Sequence, residues 1–544
     1  MRMTNKIMQN NSLYNINNNK ILQDQLSTSM ATQKKLTRPS DDPIIAIRAL
    51  RLRTSVSELS QFLDRNAKDA DAWLTVTEDA LSTASSIIGG SSGMISLMTK
   101  AANKDLTPSD LDNIMQQIKS LRDEIYATAN VDYAGRYIFT GYRTDTPLSF
   151  TKDVTRENYS VSYNITEQLN INSFDKTNYT DQQEVLGLSR NNYTARPGIT
   201  EQDIFNSDIH RLRLSYDELT AGTRPTISYW NPTLTPPDFT EFTATPGLHY
   251  PMVSIDATPD PYQTIQIMNN GGEIGGTTYT AGTLAAVFIP ETGEILFSDA
   301  AFNLLRPVIN DPNIEVRVNY VKDSWKEGDL RPEHYFACTA TETKDGETGT
   351  PIPYNTDYLT QNNIGNRQII EYDVGYNQRI RINTLAEDIF RHTSDRDVDD
   401  LDRAVIELMA IQRVVDDMRA ILDGLHEGTP DYVQVQKQLD AATKAYDFIR
   451  ENVHQMFENG ITKMQTALDA VNVAVTDSGT RSARLDLISN RLLSQKTTFE
   501  VLKSENEDAD IAEVAIKLTS TELSYNAALM ATGKIMQTSL MNFI

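Results

Sequence analysis

Apolar residues recur every three, four or seven positions at both ends of the chain and alternate in its middle. Towards the carboxy end Ile511, Val514, Leu518, Tyr525, Leu529, Met536, Leu540 and Phe543 fall on one helical stripe, with Thr521 and Thr532 filling the steps. Glu513, Lys517, Glu522 and Lys534 lie off the stripe or at its border, and the stripe runs to the last residue. At the amino end Ile7, Tyr14 and Ile21 repeat at seven, and Leu22 and Leu26 take up the stripe. Asparagine, a middling helix former, crowds the intervening positions. The spacing therefore predicts a helix that forms against a partner, with polar seam positions fixing register at some cost in stability. A core helix of a monomer would carry the same stripe, so periodicity alone leaves the partner open.

Between the ends the pattern changes twice. Pro39, Ser40, Asp41, Asp42 and Pro43 punctuate the chain, and any of the three polar residues can cap a helix whose first turn holds Pro43. From Val56 to Ile88 a three-four rhythm predicts a helix of over thirty residues, roughly 50 Å at the usual rise. Gly89 to Gly93 interrupts it, and a further helix starts with Thr107 as cap and Pro108 at its first position. Tyr137 to Tyr142, short and aromatic, reads as a strand leaving the helical region. Residues 144–390 hold most of the prolines and glycines, and Tyr159, Val161, Tyr163 and Ile165 alternate as in a strand. Leu284–Ile289 and Glu294–Ser298 flank a Pro-Glu-Thr-Gly turn, a hairpin signal. Helical spacing returns near Asp399, opens again at Thr429-Pro430, softens at Ser478-Gly479-Thr480, and breaks at the acidic turn before Ile511.

The class that follows is α+β and multidomain: a long α-helical rod or coiled coil built from both termini, with a β-rich insert of one or two subdomains. The expected segments are a terminal assembly helix over 1–37, half of the rod over 38–143, the insert over 144–390, the second half over 391–506, and a terminal assembly helix over 507–544. An insertion between two helical arms brings the ends together, so residues 1–142 and 396–544 are expected to count as one discontinuous domain.

Composition narrows the function. A formal charge of −24 on 544 residues disfavours nucleic acid and anionic membrane as partners. Cys338 is the only cysteine, which excludes an intrachain disulfide, and no apolar run reaches transmembrane length. The amino terminus lacks a cleavable secretory signal, which predicts a cytoplasmic protein or one exported without cleavage.

Catalytic patterns fail on context. Gly89-Gly90-Ser91-Ser92-Gly93 matches the spelling of a nucleophile elbow, but that elbow needs a strand before it, and here the flanks are helical. His426-Glu427 begins a zinc-helix motif whose second histidine position holds Pro430. Cys338 has no neighbour at metal-ligand spacing. No catalytic, cofactor or metal residue is assigned, and an enzyme is not expected.

The terminal blocks carry a resemblance. Arg38-Pro39-Ser40-Asp41-Asp42-Pro43 resembles the N-P-S-D-D-P signature of the flagellar hook-associated protein 3 family, the flagellin-like proteins of the hook–filament junction. Gly135-Arg136-Tyr137-Ile138-Phe139-Thr140-Gly141-Tyr142 resembles that family's exit from its helical domain. Ala483-Arg484-Leu485-Asp486, Ser504 to Asp510 and Ile535 to Ile544 are similar to its carboxy-terminal blocks. The insert is longer than in the commonest members. Plain flagellin shares the terminal architecture but usually lacks the first two blocks.

The resemblance implies an extracellular structural subunit of the bacterial flagellum. Its partners would be the first hook-associated protein, flagellin, and copies of itself in a ring. Passage through the flagellar type III export apparatus and an export chaperone on the carboxy-terminal helix are implied as well. Assembly would fall to the two terminal stripes, which order only when placed.

Overall fold

A computed structural model describes residues 5–541 apart from 37, 41, 155–158, 221, 232, 235–237, 242–251, 255–259, 275–276 and 360–367. The described helices are α1 (Asn5–Thr32), α2 (Pro43–Gln61), α3 (Lys68–Gly89), α4 (Met94–Ala101), α5 (Pro108–Ala129), α6 (Gln183–Leu186), α7 (Pro261–Asn270), α8 (Asp299–Ile309), α9 (Ala386–Ile389), α10 (His392–Leu422), α11 (Pro430–Glu507) and α12 (Ile511–Met541). The chain is α+β, with long helices towards both ends and the β-rich region between them. It divides into two compact units. The smaller comprises Met1–Ala72, Glu371–Ile380 and Arg481–Ile544, and the larger Trp73–Ile370 and Arg381–Thr480. The divisions thus fall at 72/73, 370/371, 380/381 and 480/481. The stretches 73–143 and 391–480, expected to group with the terminal helices, cluster with the β-rich residues instead.

In the smaller unit, Asp42 caps α2 by accepting from the Ile44 and Ile45 amides at 2.9 and 3.1 Å, with Pro43 at the first helical position. The helical path continues through a π-helical turn, Phe62–Ala67, into α3. That turn meets the hairpin of Glu371–Gly375 and Gln378–Arg381. Phe62 packs edge-on to Tyr376 at 5.5 Å, and the Asn66 amide donates to the Asp373 carbonyl at 2.7 Å.

In the larger unit, the first sheet has five strands. In spatial order they are Phe174–Thr180, Asn206–Arg213, Glu294–Phe297, Ala286–Ile289 and Met252–Ser254. The second runs Glu347–Thr348, Ala337–Lys344, Tyr159–Leu169, Val316–Lys322, Thr226–Asn231 and Asp238–Glu241, and Ile352–Tyr354 also pairs with Ala337–Lys344. The two sheets share one apolar core in which Tyr163, Ile165 and Val318 of one meet Leu212, Phe288 and Ile295 of the other around Trp325. The other side of the five-stranded sheet is closed by α7, whose Ile265 and Met268 pack on Val287, Ile289 and Leu296. Both central strands are therefore buried on both faces, and apart from Glu294 their sequences, Ala286–Ile289 and 295–297, read as apolar runs without alternation.

Several local expectations change. Tyr137–Tyr142 is a strand only at its first residue. Arg136–Tyr137 pairs with Asp132–Tyr133, and residues 138–142 turn away. Ser478-Gly479-Thr480 does not break α11, which runs 78 residues through it. One helical glycine costs about 1 kcal/mol against alanine, and Ser478 is buried in the helix while Thr480 bonds back to the Thr476 carbonyl at 2.8 Å. Two helices, α7 and α8, stand in the middle of the β-rich stretch. Their caps, Asp260 before Pro261 and Ser298, were present as sequence signals. Gly90–Gly93 is a turn between α3 and α4, with helix on both sides.

Candidate assembly surface

The two terminal helices pack against each other. Their direction is fixed at one end, where Gln33 to Lys35 runs beside Glu507 to Ala509 as a short antiparallel bridge. The Lys35 amide donates to the Glu507 carbonyl at 2.7 Å and the Ala509 amide to the Gln33 carbonyl at 2.9 Å. Further along, the Gln23 side-chain amide donates to Glu522 at 3.3 Å. α1 and α12 are thus antiparallel.

The seam has a heptad rhythm on both helices. Gln9, Ser12, Ile16, Asn19, Gln23 and Leu26 of α1 are half-buried at alternating steps of three and four. Val514, Leu518, Thr521, Tyr525, Ala528 and Thr532 of α12 are half-buried or buried at the same steps. The α1 side of the seam is mostly polar.

The sequence-derived residues split accordingly. Leu26, Val514, Leu518 and Tyr525 face the seam. Ile7, Tyr14, Ile21, Leu22, Ile511 and Leu529 are exposed outside it. The Met536 and Leu540 side chains and all of Phe543 lie outside the described residues. A second outward stripe escaped sequence reading. Ile516, Leu523 and Met530 stand seven apart on α12 and are 70%, 72% and 74% exposed. Their heptad spacing was the available signal, masked by the longer stripe from Val514 to Thr532 that runs beside it.

The turn joining α11 to α12 is a charged clasp. Arg53 of α2 grips Glu507 with two parallel bonds, 2.6 and 2.7 Å. Lys34 binds Asp508 and lies 3.6 Å from Glu507. The Arg53 hydrogen bond holds the Glu507 carboxyl below its ordinary range, and the Lys34 bond does the same for Asp508. Asp510 then caps α12, accepting from the Ala512 and Glu513 amides at 2.9 and 3.2 Å.

The remaining motif residues build local structure. Pro39 and Ser40 form an exposed turn before the Asp42 cap, and Asp41 lies outside the described residues. Ala134 and Gly135 have φ of 53° and 76°, as a two-residue hairpin turn between paired Tyr133 and Arg136 requires. Asp132 steadies that turn by accepting from the Gly135 amide at 2.9 Å. The Arg136 guanidinium lies 5.0 Å from the centre of the Trp73 ring, and the Tyr137 amide donates to the Thr144 carbonyl at 2.8 Å. Gly141, φ 65°, leaves room for Gln368, whose carbonyl oxygen accepts from the Tyr142 amide at 2.7 Å. Cys338 is buried, and burial pushes its thiol up and away from reactivity. No described helix is long and apolar enough to cross a membrane.

Residues 3–144 match the model of the bacterial flagellin N-terminal helical region. Flagellar hook-associated protein 3 of Escherichia coli strain K12 is 32% identical over 155 residues, covering 28% of this chain and 47% of that protein. The protein of the same name from Salmonella typhimurium strain LT2 is 31% identical over 147 residues, covering 27% and 45%. The chain therefore spans about half the length of the curated relatives it matches. A crystal structure of Xanthomonas campestris FlgL is 11% identical, with a TM-score of 0.27 over 83% of this chain and 99% of that one. Residues 3–144 thus resemble a bacterial flagellin N-terminal helical region, and over 155 and 147 residues the chain is similar to flagellar hook-associated protein 3 of these two bacteria.

Proposed function

We propose that this chain is a structural subunit of the bacterial flagellum at the hook–filament junction, placed between the first hook-associated protein and flagellin and joined to copies of itself in a ring. The observation that carries the reading is the inverted character of the terminal helix pair. Its seam is largely polar on α1, while Ile7, Tyr14 and Ile21 on α1 and Ile516, Leu523 and Met530 on α12 face outward. Apolar residues repeating at seven on an outer face are what a further helix covers. The terminal helices would order fully when neighbouring helices bury those stripes. Before assembly the same stripes need cover, which is the role we assign to an export chaperone on α12, ahead of passage through the type III export apparatus.

The family model that matches residues 3–144 is named for flagellin, which favours a filament subunit as the second reading. Unaided growth of the purified chain into long filaments would support it.

The test is removal of the last twenty residues, 525–544. The larger unit should keep its fold, read by circular dichroism and protease resistance, while incorporation into flagella is lost. Normal incorporation of that truncation would overturn the proposal.

A further inference from the structure

We propose that the outward face of α2 is a docking surface for the acidic larger unit of a second copy of this chain. The inference rests on the reading of the protein as a self-assembling subunit, but concerns a face apart from α1 and α12.

Three observations carry it. First, α2 presents Ile44, Ile47 and Leu50, each more than half exposed, an arrangement a surface helix ordinarily avoids. Second, the cations on this helix divide into two kinds. Arg53 is committed to Glu507. Arg48 and Arg51 make no ion pair with a described residue, and they line an open groove of about 490 Å³ with Leu52, Leu502, Glu505 and Asn506. That groove is built on a fixed frame. Asp42 caps the helix, and the Asn506 side-chain amide donates to the Ile45 carbonyl at 3.1 Å.

Third, charge is divided unevenly along the chain. The three segments of the smaller unit hold 19 Lys and Arg against 17 Asp and Glu, so the surplus of a chain at −24 lies in the larger unit. Two uncommitted arginines beside apolar residues call for carboxylates beside apolar residues. α11 offers such a face within the larger unit: Val473 is 69% exposed, with Asp469 and Asp477 one turn to either side. A patch that meets a different patch on the next copy is a heterologous contact. Repeated, it closes a ring or continues as a helical array.

The experiment is sedimentation velocity of the full chain over rising concentration, at about 0.1 and 1 M salt, where the screening length falls from ~10 to ~3 Å. The parent chain should self-associate at the lower salt and less at the higher. Arg48→Glu with Arg51→Glu should weaken association by about tenfold or more, because two attractions become two repulsions. Both side chains are exposed, so the fold should persist, as circular dichroism would check. Association should return when that double variant is mixed with chains carrying Asp469→Lys and Asp477→Lys. A double variant that associates like the parent overturns this surface and leaves the terminal-helix reading standing. Recovery of the double variant's association in 1 M salt without the partner variant also overturns it. A parent chain that stays monomeric throughout overturns this surface alone, because the terminal-helix reading places the subunit on neighbouring flagellar proteins and is tested separately by the truncation.

Discussion

Asp400 offers the sharpest test of what holds the larger unit together. Four cations and four carboxylates interlock where α10 and α11 meet the five-stranded sheet. Asp400 accepts from Arg213 at 2.6 Å, stands 3.1 Å from Arg211, and binds Arg403. Asp397 takes Arg213 at 2.5 Å and Lys463 at 2.8 Å. Glu294 takes Arg211 and Arg403, each at 3.0 Å, and Asp175 holds Arg211 with two bonds of 2.9 and 2.6 Å. Glu294 is fully buried, and Asp397, Asp400 and Arg211 nearly so. Such a lattice can be no more stable than well-packed apolar residues of the same volume, but removing one member strands charge without water. Asp400→Asn keeps the shape and leaves three guanidinium groups short of a carboxylate, which should cost about 3–5 kcal/mol. The three tryptophans, Trp73, Trp230 and Trp325, all belong to the larger unit, so their fluorescence reports its unfolding. With a urea slope near ~3 kcal/mol/M, the midpoint should drop by about 1 M or more.

The pH dependence gives a second reading of the same variant. Burial raises the Asp400 carboxyl, but Arg211, Arg213 and Arg403 together hold it well below the ordinary range. A depressed carboxylate contributes stability above its unfolded value, near ~4, and loses it as pH falls through the folded one. The gap between parent and variant should therefore be full at pH 7 and close in acid. An unchanged midpoint at pH 7, or a gap that widens in acid, would refute the reasoning.

Two further perturbations act at other points of the same unit. Gly293 closes the central hairpin at φ 61°, and a Cβ there would sit 2.0 Å from the Tyr216 carbonyl oxygen. Gly293→Ala should cost about 2–3 kcal/mol, read as a lower melting midpoint, and a neutral result would place the hairpin elsewhere. Asp395 has its carboxyl pushed up to about 7 by burial and by Asp399, against Arg122 and Arg396. A raised carboxyl gives stability below its unfolded value that is lost as pH rises through 7. Asp395→Asn, which copies the protonated acid, should match the parent near pH 4 and exceed it at pH 8. Because the side chain is 35% exposed, solvent screening holds the expected gain to ~1 kcal/mol. A variant less stable than the parent at pH 8 would contradict it.

The helical arms were legible from spacing because one buried face is enough to set a 3.6-residue period. Asp42 with Pro43, and Thr107 with Pro108, marked their starts for the same local reason: a side-chain oxygen and a fixed φ suit a first turn. The hairpin at 286–297 was visible through its turn, but its two-sided burial was not. A strand covered on both faces loses alternation, and what covers it, α7, lies elsewhere in the sequence. The lattice around Asp400 was hidden for a related reason. Asp395 to Arg403 reads as a solvated charged face, and only the fold brings Arg211, Arg213 and Glu294 against it. At the ends, the heptad of Ile7, Tyr14 and Ile21 was found, but periodicity could not say that it faces away from α12.

That outward orientation bears on where binding free energy resides. The seam between α1 and α12 pairs Val514, Leu518 and Tyr525 with a partner face that is two-thirds polar, set by Gln9, Ser12, Asn19 and Gln23 around Ile16 and Leu26. An antiparallel pair of this kind gains little from its own seam beyond the clasp at Arg53, Lys34, Glu507 and Asp508. Fully burying a large apolar side chain is worth about 1.5–3 kcal/mol. Burying Ile516, Leu523 and Met530 would thus release several kcal/mol that the single chain leaves unused. If that is the source of assembly free energy, Leu523→Ser should lower incorporation more than Leu518→Ser, although Leu518 is the more buried of the two in the single chain. The reverse order would show that the α1–α12 seam, and not its outer face, carries the association.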